Sequence, residues 1–209
     1  MKRLGFQAAL TALLVVVLSL PVLAKIYQIP ADLKAEAKVL QAKTKADPTP
    51  ENRFELAMNY GYTGRIEDGW FELRQVPKDY ADDVVKKYEA VVQNDPQNWK
   101  ALFKLAFGYY FIEKKDEAER CFLKVLDLQP NHVWAMGFIA LLEGEKGKTD
   151  EAIKWCKKAL AIEPNATAIH FLLGEGYRRK GNYWGMTSEI VTVGRLKAEE
   201  AVARRNEQN

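Results

Sequence analysis

Hydrophobic and polar positions divide the chain into three regimes. From Leu4 to Ala24 the residues are apolar apart from Gly5, Gln7, Thr11, Ser19 and Pro21, with no polar face. From Ala31 to Ala46 a lysine- and alanine-rich stretch, limited by Pro30 and Pro48, predicts a lone helix. Farther on, apolar residues fall at helical spacing, as in Leu102, Leu105, Ala106 and Tyr109, then Ala118, Phe122, Val125 and Leu126. Gly147-Lys148-Thr149 and Gly181-Asn182 separate such runs. Asp116 with Glu119 fits a capping box, and Thr149 or Asp150 can open the corresponding helix of the next unit.

These runs repeat. Pro96, Pro130 and Pro164 stand 34 residues apart, and other columns keep the same offset: Leu105, Ile139, Leu173; Ala106, Ala140, Gly174; Ala118, Ala152, Met186; Val125, Ala159, Val193; Leu128, Ile162, Leu196. Each unit is therefore a pair of helices. With Asp-Glu-Ala opening the second helix at Asp116 and at Asp150, and a closing proline, the stretch from Trp99 to Leu196 resembles the tetratricopeptide repeat. The resemblance implies an all-α fold, a right-handed solenoid of antiparallel helix pairs with about three clear units and one divergent unit.

The expected divisions are a leader at 1–24, an N-terminal helix and linker at 25–48, and a divergent pair at 49–98 with an insert at 65–79. Three units follow at 99–132, 133–166 and 167–197, the last with a capping helix, and then a tail at 198–209. The last unit departs from the pattern, with Trp184-Gly185 where acidic residues are usual and Met186 in the alanine column. Its closing helix is expected to cover the unit with Ile190, Val193 and Leu196 while polar residues face out. Glu143 replaces the aromatic that Tyr109 and Tyr177 supply, so looser packing is expected there.

The first helices of the units carry a second apolar stripe. Beside the core positions of the first unit lie Phe103, Phe107, Tyr110 and Phe111; the next unit repeats this with Trp134 and Phe138, and the third with Phe171, ahead of Arg178 and Arg179. A concave wall of such rings would expose about 500 Å², at the upper end for a monomer. Two occupants are open: the chain itself, through the Ala31–Ala46 helix or the Trp70-Phe71 insert, or a partner laid in the groove. The family resemblance implies a protein or peptide partner, and Arg178 and Arg179 would favour an acidic end of it. The positions at which some family members clamp a terminal carboxylate carry Phe103, Phe107, Gly137 and Leu141, so that recognition mode is not expected.

Composition narrows the chemistry. The 209 residues are 48% hydrophobic, enough to form a core, and the net charge is +3, or +1 without Lys2 and Arg3 (3 − 2). No nucleic-acid surface is expected from that balance. Lys2-Arg3 before the apolar run, and Pro21-Val22-Leu23-Ala24 at its end, read as an export signal cleaved after Ala24 or as an uncleaved anchor about 30 Å long. Either way, residues from Lys25 onward are expected outside the cytoplasm. The two histidines, His132 and His170, have no metal-ligand spacing, and no nucleophile with a base, phosphate loop or zinc motif occurs. No cofactor, metal or catalysis is expected. Cys121 and Cys156 fall on consecutive second helices, too far apart to expect a disulfide. Asn165-Ala166-Thr167 is a glycosylation sequon only formally.

Overall fold

A computed structural model describes residues 27–208, and the leader expected at 1–24 lies outside them. Within the described residues the chain is all-helical. Its elements are α1 (Ala31–Ala46), α2 (Pro50–Tyr62), α3 (Ile66–Leu73), α4 (Tyr80–Asn94), α5 (Trp99–Phe111), α6 (Lys115–Leu128), α7 (Val133–Glu145), α8 (Thr149–Ile162), α9 (Thr167–Arg179) and α10 (Tyr183–Gln208).

Local chemistry sets several of the boundaries. The Thr49 hydroxyl accepts from the Asn52 amide and Pro50 takes the first helical position of α2, where its missing N–H is no loss. The Asn98 side chain accepts from the Ala101 amide at 3.0 Å, and Nδ1 of His132 from the Ala135 amide at 3.1 Å. The second helices begin differently from expectation. Lys114 and Lys148 precede α6 and α8 without a side-chain cap, and Asp116 is turned to Lys146 at 2.7 Å instead of to its own backbone. Carboxylates in these first turns still complement the helix dipole.

Consecutive helices pack in antiparallel pairs, α5 with α6, α7 with α8 and α9 with α10, and each second helix also meets the first helix of the next pair. The first helices form the inner layer: α7 touches α9, and α2 reaches both α5 and α7. Gly137 permits the α7–α9 approach, because a Cβ there would stand 2.3 Å from Ile169 Cδ1. One apolar cluster runs from Phe54, Tyr62 and Tyr88 through Phe103, Phe107 and Phe122 to Ile139; a second runs from Val133 and Trp134 through Cys156 and Ile169 to Leu173.

Glu143 is buried, yet it lies 3.6 Å from the Lys146 ammonium and 3.4 Å from that of Lys148, so ion pairing fills the place of the missing ring. Helix α10 corrects the expected orientation. Leu196 is buried and Val193 half-buried against the last unit, but Ile190 is exposed, while Glu189, Thr192 and Glu199 take inner positions. Glu189 meets His170 Nδ1 at 2.6 Å, and Glu199 accepts from Arg195 at 2.7 Å through Oε1, while its buried Oε2 accepts no hydrogen bond among the described residues.

Candidate functional site

The inner face of α5, α7 and α9 is where sequence reasoning places the partner groove. Phe103 and Phe107 are buried there. Tyr62 of α2 stands edge-on to Phe103 at 5.5 Å, and both phenylalanines close on Gly61, whose absent side chain leaves room for them. Phe107 also meets Phe138 at 4.7 Å and Phe122 at 5.9 Å, and Phe122 stacks on Phe138 at 5.5 Å. Trp134 is enclosed from two sides. Tyr27 meets it edge-on at 5.2 Å, and the α2–α3 turn passes so close that a Cβ on Gly64 would lie 2.0 Å from the indole. Gly64 has φ +80°, a left-handed conformation that glycine adopts without strain.

The insert at 65–79 supplies the cover. Helix α3 turns Gly69 to Ala57 and Tyr60 of α2, Ile66 to the Trp134 cluster and Trp70 to Phe111, edge-on at 6.3 Å. The recess left between Trp70, Phe107, Tyr110, Phe138 and Leu141 holds only about 10 Å³, room for a single water at most. At its far side Glu67 pairs with Lys197 of α10. The expected aromatic wall is thus corrected: Phe103, Phe107 and Trp134 are core, Tyr110 and Phe138 are half-buried, Phe111 is exposed only at the end of α5 against Trp70, and Phe171 is open. The burial comes from contacts distant in sequence, made by α2, by α3 and by residues 27–29.

What remains of the inner face is mixed in charge. Tyr110 donates to Glu145 Oε1 at 2.8 Å, and burial followed by that carboxylate pushes its phenol up. Phe171 lies on α9 with Glu175, Arg178 and Arg179. Glu175 accepts two hydrogen bonds from Arg178 and one from Arg179, which hold its carboxyl down at about 2, while Arg179 also donates to the Gly144 carbonyl at 2.7 Å. The two guanidiniums outnumber the one carboxylate between them.

Other candidates resolve into structure. Cys121 and Cys156 are free and buried, and burial pushes their thiols up to about 11 and about 12. His132 caps α7, and burial lowers its imidazole to about 4. Among the described residues no three His, Cys, Asp or Glu side chains gather as a metal site, and no helix is long and apolar enough to cross a membrane. A larger recess of about 370 Å³ between α1, α2 and α3 is polar. Within it Arg53 and Glu72 pair at 2.7 Å, and Gln41 donates to the Tyr60 hydroxyl at 2.7 Å.

Sequence reasoning missed the outer face of α10, where Tyr183, Trp184, Ile190, Val191 and Val202 are exposed. The seven-residue spacing of Tyr183 with Ile190 and of Trp184 with Val191 was the available signal.

The tetratricopeptide repeat pattern matches residues 100–132 and 135–166, the α5–α6 and α7–α8 pairs. No curated protein matches the sequence. Among solved structures, one described as the crystal structure of MamA is similar over 81% of this chain and 91% of its own, with 19% identity and a TM-score of 0.54. A second MamA crystal structure has the same identity and score and is covered over 85%. MamA from residue 41 to its end, from Desulfovibrio magneticus RS-1, is 15% identical over 80% of this chain and 87% of its own, with a TM-score of 0.51. At such identities the likeness is one of fold. The α5–α6 and α7–α8 pairs are tetratricopeptide repeats by both pattern and geometry.

Proposed function

We propose that this protein is an exported, non-enzymatic scaffold that binds a protein or peptide partner on the open, C-terminal part of its inner face. The supporting observation is that the N-terminal part of the same face already carries a helix, α3, seated by Ile66 and Trp70. A surface that accepts an apolar helix from its own chain has the shape and chemistry to accept another beside it. Phe171 is the exposed anchor, and Arg178 with Arg179 gives the site a net positive edge suited to an acidic residue of the partner. Capture from an envelope extract with the wild type and with Phe171→Glu plus Arg178→Glu tests the site. A component recovered by the first and lost by the second supports it, whereas equal recovery refutes it.

A second reading, a membrane-anchored envelope assembly factor, rests on the length of the apolar run from Leu4 to Ala24. The intact mass of the chain from its native host separates the two, since a cleaved leader removes residues 1–24.

A further inference from the structure

The helix that closes the array is apolar on two sides. One side packs on α9 through Met186, Val193 and Leu196; the opposite side faces solvent with Tyr183 66%, Trp184 87%, Ile190 56%, Val191 67% and Val202 59% exposed. These residues, with Thr187, Gly194 and Ala198 between them, recur every three, four or seven places and so form one stripe along the helix. We infer that this outer face of α10 is a self-association surface, on which a second copy of the chain docks through its own α10.

The area is what such a pair needs. With about 150–250 Å² for each aromatic side chain and about 60–120 Å² for each aliphatic one, the exposed fractions amount to about 500 Å² of apolar surface per copy. That is large for a patch left open on a monomer. A two-fold pair covers it twice, about 1,000 Å² of apolar surface in all, which reaches the lower bound for a specific interface before the flanking polar residues add to it.

Symmetry suits the stripe as well, because a two-fold contact needs a surface complementary to itself. An antiparallel crossing between Gly194 and Arg195, with open space around Gly194 where a Cβ would meet nothing within 4 Å, lets the helices approach closely. It sets Val191 against Ala198 of the partner subunit and Trp184 against Arg205 of the partner subunit, a cation over an indole face. Charges flanking the stripe raise no repulsion, since Arg195 pairs with Glu199 at 2.7 Å and Lys197 with Glu67 within the chain. A bilayer surface fits less well. The small residues at the centre of the stripe offer little to insert into lipid, and Arg195 and Lys197 beside them are already paired with carboxylates.

Sedimentation equilibrium of the full chain in density-matched detergent, between about 1 and 50 µM, reads the association directly. The protein mass is expected to approach twice the 23.8 kDa of the chain. Val191→Asp with Ala198→Asp is expected to weaken the dimer at least a hundredfold while leaving the circular dichroism melt unchanged. Oxidation of Gly194→Cys should give a covalent dimer on a non-reducing gel, and Lys38→Cys on exposed α1 should not. A single-chain mass throughout, a dimer indifferent to the aspartates, or no Gly194→Cys cross-link overturns the inference. So does co-sedimentation of a single-chain species with phosphatidylglycerol–phosphatidylethanolamine vesicles that the aspartates abolish, which would make the face a membrane contact.

Discussion

Two phenylalanines of the same second apolar stripe should behave oppositely when truncated. Phe107 is 3% exposed and has ring partners in Phe103 at 5.4 Å, Phe122 at 5.9 Å, Phe138 at 4.7 Å and Phe111 at 6.2 Å. Phe171 is 66% exposed. For Phe107→Ala the lost burial is worth about 1.5–3 kcal/mol. The vacated space cannot collapse fully beneath four rings that are themselves fixed, so the total should reach about 3–5 kcal/mol. For Phe171→Ala the change should stay within about 0.5 kcal/mol. Urea unfolding followed by far-ultraviolet circular dichroism reads both variants on one scale. In a heat melt, Phe107→Ala should lower the midpoint by about 10 °C. If the two variants lose similar stability, or if Phe107→Ala loses less than about 1 kcal/mol, the enclosure of the inner wall is wrong and those rings face an open groove.

The remaining predictions concern the cover, the caps and the thiols. Gly64→Ala should destabilise by more than about 2 kcal/mol in urea titration, because alanine is strained at φ +80° and its methyl would collide with the Trp134 ring. Trp70→Ala should open the recess over Phe107 and Leu141 and raise binding of an apolar fluorescent dye without loss of helix content. His132 is neutral when folded and titrates near 4, against about 6.5 unfolded. Its contribution is therefore complete above pH 6.5 and is lost as pH falls toward 4, by at most about 3 kcal/mol; His132→Asn keeps the cap acceptor and should flatten that part of the stability–pH curve. Cys121 and Cys156 should resist a thiol reagent at pH 8 until the chain is unfolded.

The helix pairs were legible because they are local. A 34-residue period, helical spacing and closing prolines each act within one unit, and the geometry of α5 to α8 follows from them. The groove was not legible in the same way. Phe103 and Phe107 form a second apolar stripe whose fate depends on Gly61 and Tyr62, some forty residues earlier, and Trp134 depends on Tyr27 and Gly64. Periodicity reports that a face is apolar and is silent on what lies against it. The same limit explains α10. Ile190 and Leu196 both look like packing residues, yet a helix apolar on both sides gives no internal signal for which side meets α9.

The Glu67–Lys197 pair joins residues 130 positions apart, tying the strap laid across the inside of the coil to its last helix. Open arrays of this kind stretch like springs and peel from their ends, each turn touching only the next. A link between distant turns works as a clasp and not as a beam: an exposed ion pair adds at most about 1 kcal/mol, so it fixes where the strap meets the last turn without bearing tension. Excising one whole repeat would here leave the two halves of the clasp misaligned.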